Sequence, residues 1–197
     1  MKLWFTVVTA LVWAAAFAYA TAYVNEDFER GVPPPQWTSS KSGAGAGWDG
    51  ESGGPSGNYA RGWVTSTADV ERWAKMDTYV FDVPPNTTVE FRFDYKYGHG
   101  GFEAPNRATF ILLYAGYPEE VITSFGMELT STWRVFERKV VPPRGGLVKA
   151  RLEVWVRNPH PRRSATYIWD VDNVLVADEA HHAVAPTSLG RVKALFR

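Results

Sequence analysis

The chain of 197 residues contains no cysteine. That absence excludes disulfides, thiolate metal sites and cysteine nucleophiles. It also lacks net charge, with 21 basic side chains against 21 acidic ones. A balance of zero argues against a nucleic-acid binder, which presents a basic face. Helical periodicity is missing from Thr21 to Asp178, and long apolar runs are missing beyond the first twenty residues. What is abundant is aromatic: nine Trp, nine Tyr and eleven Phe. Low hydrophobicity with high net charge marks a disordered chain, and this sequence has neither. Its length suits one domain with a sizeable core.

The ends read differently from the middle. Lys2, the apolar run Leu3 to Phe17 and the small-residue site Ala18-Tyr19-Ala20 predict a signal peptide over residues 1–20. The alternative, a membrane anchor, needs roughly 20 apolar residues, and the run is shorter. The expected product is an exported protein with no membrane span after signal removal, secreted or held at the cell surface. Residues 179–197 form a tail in which Leu189, Val192, Leu195 and Phe196 fall at helical spacing behind Ser188. Such a tail is either a short docked helix or a sorting tag.

Between the ends, residues 21–178 read as strands. Val89, Phe91, Phe93, Tyr95 and Tyr97 alternate with Glu90, Arg92, Asp94 and Lys96. Val148, Ala150, Leu152, Val154 and Val156 alternate with Lys149, Arg151, Glu153, Trp155 and Arg157. This period of two is that of half-buried strands. Thr78–Asp82, Ala108–Tyr114, Val121–Phe125, Trp133–Val141 and Tyr167–Ala177 are further candidates, separated by Pro-Pro and Gly-rich turns. Strands at this spacing without crossover helices predict an all-β antiparallel sandwich of jelly-roll type, with about eight to ten strands. Residues Ser39 to Gly62 are glycine-rich and predict a long loop. Trp48 within it is either a lid on the core or an exposed stacking platform.

One strand carries a problem in charge. Ile168, Asp170, Asp172, Val174 and Val176 share a parity, so valines facing the core would carry Asp172 inward. A buried carboxylate needs a partner, and Ca²⁺, an arginine and backbone amides are the options.

The chain opens with Val24-Asn-Glu-Asp-Phe28-Glu29-Arg-Gly31 and Trp37, and its last strand reads Ile168-Trp-Asp170-Val-Asp172-Asn173-Val174. This pairing resembles the jelly-roll carbohydrate-binding modules, whose first strand runs Asn…Phe-Glu-x-Gly…Trp and whose last runs Ile-Asp-Asp-Val. It is also similar to MAM domains, without their cysteines. The resemblance implies a structural Ca²⁺ joining first and last strands, with Glu29 and Asp172 as ligands and Asn25 or Glu26 assisting. Oxygen donors in that number and kind suit Ca²⁺.

Glycan sites set aromatic faces against the apolar face of a pyranose and orient it with polar groups. Trp155 stands on the polar parity of its strand among Arg151, Glu153 and Arg157, and breaks that pattern. It lies either under a loop or on a ligand platform. Trp63, Trp73 and Trp48 come from loop-like sequence, whereas Trp133 and Trp169 read as core. The expected ligand-binding set is thus Trp155, Trp48, Arg151, Glu153, Arg157 and Trp63, with polysaccharide as partner. No catalytic constellation is found. Glu26-Asp-Phe-Glu29 has the wrong spacing for the paired carboxylates of jelly-roll glycosidases. Asp94-Tyr-Lys-Tyr-Gly-His99 matches only one string of the polysaccharide lyases. Three readings follow: a secreted non-catalytic carbohydrate-binding module, an adhesive module whose partner is a cell-surface protein, and a glycosidase or lyase.

Overall fold

The computed structural model describes residues 22–178 apart from 68, 102–103, 126–129 and 161, so the expected signal segment and the expected tail lie outside the described residues. Twelve strands follow in order: β1 (Ala22–Glu26), β2 (Thr38–Lys41), β3 (Ala46–Ser52), β4 (Asn58–Ser66), β5 (Glu71–Asp77), β6 (Phe81–Val83), β7 (Val89–Gly101), β8 (Asn106–Tyr114), β9 (Glu120–Phe125), β10 (Arg134–Val140), β11 (Gly146–Arg157) and β12 (Ala165–Asp178). They form two six-stranded antiparallel sheets. The first runs β10-β7-β12-β4-β3, with β1 also on β12. The second runs β2-β5-β11-β8-β9, with β6 also on β11. The all-β sandwich read from the sequence is what the chain forms.

The two uninterrupted alternations become interior strands, β7 beside the central β12 in the first sheet and β11 at the centre of the second. On β7, Val89, Phe91, Phe93 and Tyr97 are buried, and on β11 so are Val148, Ala150, Leu152, Val154 and Val156. Between the sheets Phe110 meets Phe91 and Phe93 at 5.6 and 5.5 Å, and Trp169 meets Phe93 at 5.9 Å. Rings packed this way are worth about 0.5–1.5 kcal/mol beyond their buried area.

The glycine-rich stretch is not a loop. It holds β2, β3 and the start of β4, which raises the strand count above the expected range. The reason is steric. Trp48 faces Gly62 across the β3–β4 pair, and Gly47 faces Trp63. A Cβ on Gly62 would lie 2.7 Å from the Trp48 ring, and one on Gly47 3.2 Å from the Trp63 ring. These glycines are sockets for indoles on the neighbouring strand, a close approach that only a missing side chain allows. β5 is a second addition, since Glu71–Asp77 was not expected as a strand.

β12 also departs from a uniform alternation. Asn173 has φ 51°, and the pairing with β7 slips between Asp172 and Leu175. A bulge of this kind inserts a residue and reverses the facing of everything before it. Tyr167, Trp169 and Val171 therefore point inward together with Val174 and Val176. Asp170 and Asp172 stand on the outer face of the first sheet, contrary to the shared parity expected with the valines.

Candidate functional site

The outer face of the second sheet is built by three neighbouring strands. Inward-facing Ala74 and Met76 on β5, Ala108 and Phe110 on β8, and the valines of β11 are buried. The alternate positions must then face outward: Trp73, Lys75 and Asp77, Arg107 and Thr109, and Lys149 to Arg157 in steps of two. Register places Trp155 between Trp73 and Arg107, and Glu153 between Lys75 and Thr109. Two indoles consequently sit side by side, both half-buried.

Each indole carries a cation. The Arg107 guanidinium lies 4.9 Å from the Trp155 ring centre, and Lys75 Nζ lies 4.5 Å from that of Trp73. At exposed sites such contacts are worth about 0.5–1 kcal/mol each. Both cations converge on one carboxylate, since Glu153 is 3.3 Å from Lys75 and 3.5 Å from Arg107 while only 5% exposed. One row along, Arg151 donates two hydrogen bonds to Asp77, at 2.7 and 2.9 Å. This bidentate pair raises the Arg151 guanidinium pKa further above its ordinary value, with burial opposing. Two polar atoms on the same face have no partner within the protein: the Trp155 indole N–H and the Thr109 hydroxyl, the latter on a residue 3% exposed. Unpaired buried polar atoms are uncommon in proteins, and each calls for an explanation such as a ligand or water.

Four of the expected ligand residues thus meet on one face: Trp155, Arg151, Glu153 and Arg157. The other two do not join them. Trp48 is a core residue, 8% exposed and 6.2 Å from Trp169, because β3 turns its indole inward over Gly62. Trp63 is on the outer face of the opposite sheet, donating its N–H to Asp49. Trp73, Lys75, Arg107 and Thr109 were not in the expected set. The alternation of Trp73, Lys75 and Asp77 with Ala74 and Met76 was the signal for the first two of these positions.

The outer face of the first sheet is organised around Asp170. This carboxylate is buried at 1% exposure and takes Arg61 on both oxygens, at 2.7 and 3.1 Å, with Lys96 at 3.3 Å. Lys96 also lies 5.3 Å from Trp133, which meets Tyr59 edge-on at 5.2 Å. Trp133, read as core, is therefore half-buried on the outside.

The expected metal ligands separate into two places. Glu26 accepts from the Phe28 N–H at 2.9 Å and pairs with Arg30, and it lines a pocket of about 230 Å³ with Asn25, Trp37 and Tyr79. Glu29 and Asp172 instead close on the segment between β3 and β4. Glu29 accepts from the Asn58 backbone and side-chain N–H groups, at 2.7 and 3.1 Å. Asp172 accepts from the Ser56 N–H and hydroxyl and from the Asn173 N–H. Backbone amides and a serine are thus the partners of Asp172, from the options left open by the sequence. Burial pushes its carboxyl above the ordinary range, Asp94 adds to that, and the Ser56 and Asn173 donors partly offset it. Among the described residues no group of three or more His, Asp or Glu side chains converges for a metal.

No family model matches the chain, and no curated protein matches it in sequence. Solved structures do match in fold. One is the carbohydrate-binding module TmCBM61 in complex with β-1,4-galactotriose, at TM-score 0.55 and 15% identity, covering 81% of this chain and 100% of that one. Another is the CBM22-1 xylan-binding domain from Paenibacillus barcinonensis, at TM-score 0.50 and 15% identity, covering 81% and 95%. A third is the CBM22-1 and GH10 modules of a Clostridium thermocellum endo-1,4-β-xylanase complexed with xylohexaose, at TM-score 0.52 and 14% identity, covering 82% of this chain and 29% of that one. The two-sheet architecture of this chain is therefore the β-sandwich fold found in carbohydrate-binding modules.

Proposed function

We propose that the protein is a non-catalytic carbohydrate-binding module of an exported protein, with the outer face of the second sheet as its glycan platform. One observation carries this reading: Trp73 and Trp155 stand side by side on the outer face of a sheet, each with a cation against its ring. Indole faces match the apolar face of a pyranose, and the Lys75 and Arg107 donors beside them match its hydroxyls. Solved structures that share the fold carry galactotriose and xylohexaose. Two of the face's three carboxylates are already engaged, Glu153 by two cations and Asp77 by Arg151, which suits orientation of a ligand better than proton transfer.

A structural Ca²⁺ forms part of the proposal in a reduced form. Glu29, Asp172 and the Ser56 hydroxyl offer oxygen donors of the kind a hard cation takes, and a cation would relieve the burial of Asp172. Asn25 and Glu26 do not belong to that set. The ion would tie the exit of β1 to β12 and add stability only. A rise in melting temperature with Ca²⁺, reversed by chelator, is expected, and an unchanged melting temperature rules the ion out.

The binding reading is tested by isothermal titration of the protein with a panel of soluble polysaccharides. Saturable binding to one class, weakened in Trp155→Ala, is expected. Absence of binding to every polysaccharide would overturn the reading and favour a protein partner at the cell surface.

A further inference from the structure

We infer that the platform takes an anionic polysaccharide, a pyranose chain bearing carboxylate or sulfate groups. The inference rests on the carbohydrate-binding reading and narrows it. The chain as a whole is neutral, yet its three platform strands are not. Lys75, Arg107, Lys149, Arg151 and Arg157 face outward against Glu71, Asp77 and Glu153.

The surplus sits where a ligand would lie. Asp77 is consumed by Arg151 in a bidentate pair. Glu153 is the single carboxylate between Lys75 and Arg107, so one positive charge at the centre of the platform stays uncompensated. Glu153 is nearly buried, whereas Arg107 is 51% exposed. The anion is fixed and the guanidinium is free to turn outward. Toward the end of β11, Arg157 touches Asp69 at 3.8 Å with both side chains 62% exposed, a pair that water screens almost fully.

Arg107 lies over the Trp155 ring, and in turning outward its planar guanidinium would uncover that ring and meet a sugar acid beside it. The ring stacks on Trp155 while its carboxylate or sulfate accepts from the Arg107 fork, in the geometry that makes arginine the usual partner of such groups. Glu153 acts as a positioning residue that holds both cations against the indoles.

Affinities of the protein for polygalacturonate, a sulfated galactan, neutral β-1,4-galactan, neutral xylan and an oligothymidylate separate the outcomes. Polygalacturonate or the sulfated galactan is expected to bind at least about tenfold tighter than either neutral chain, and to weaken as sodium chloride rises. Preference between those two names the acidic group. Arg107→Ala should remove about tenfold of this preference. Arg107→Lys should restore the salt dependence without the full affinity. Equal or tighter salt-independent binding of a neutral chain overturns the inference and leaves the carbohydrate-binding reading intact. Oligothymidylate bound as tightly as the acidic glycans also overturns it. Binding of no glycan overturns both.

Discussion

The two outer faces of this sandwich carry similar side chains and use them differently. Both hold tryptophans beside arginine, lysine and carboxylates. On the first sheet the carboxylates dominate: Asp49, Glu51, Glu90, Asp94, Asp170 and Asp172 against Arg61, Arg92 and Lys96 on β3, β4, β7 and β12. Its polar groups satisfy one another, with Asp170 clamped by Arg61 and Lys96, and Trp63 donating to Asp49. On the second sheet cations dominate, and an indole N–H and a hydroxyl are left without partners. The proposed function assigns the ligand to the second face, and the first face is held by its own ion pairs. Aromatic and charge content alone does not separate the two.

That contrast can be broken from either side. The largest effect is expected on the first sheet. Asp170→Ala leaves Arg61 and Lys96 facing each other without their buried anion and should cost about 3–5 kcal/mol in urea unfolding. Glycan affinity of the folded protein should stay unchanged. Next, Gly62→Ala drives a methyl into the Trp48 ring and should cost about 1–3 kcal/mol, again without touching binding. On the second sheet the expectation reverses. Trp155→Ala should cost about 1–2 kcal/mol of glycan binding free energy, read by calorimetry, while Trp63→Ala on the opposite face costs none. Equal losses from both tryptophan variants would dissolve the distinction between the faces.

The smallest effect is a pH dependence. The Asp172 carboxyl is raised in the folded protein, so its contribution favours the fold below the ordinary carboxylate range and is lost as pH rises through the raised value. Asp172→Asn removes that loss. The stability difference between variant and parent should therefore move in the variant's favour as pH rises from acid to neutral. A difference independent of pH would show that the Ser56 and Asn173 donors offset the burial completely.

Much of the architecture was legible because two strands alternate without interruption. The patterns of Val89–Tyr97 and Val148–Val156 state both the strand and its buried side, and the second also singles out Trp155. What stayed hidden depends on partners distant in sequence. Gly47 and Gly62 read as turn residues, and only the facing indoles reveal them as sockets in paired strands. Asn173 looks like any asparagine, yet its positive φ reverses the facing of Asp170 and Asp172. Trp73 resembled a loop residue until β5 paired with β11 and placed it beside Trp155. Trp48 and Trp63, fifteen residues apart in sequence, fall on opposite sides of the first sheet because Trp48 faces Gly62 and Trp63 faces Gly47 across β3 and β4.

The central claim is that one face binds and the other does not. Backbone amide chemical shifts of the labelled protein, followed during titration with a binding polysaccharide, test it most directly. The account predicts shifts confined to β5, β8 and β11, centred on Trp73, Arg107, Glu153 and Trp155, with β3 and β4 unmoved. Shifts centred on Trp63, Tyr59 and Trp133 instead would place the ligand on the first sheet and contradict it.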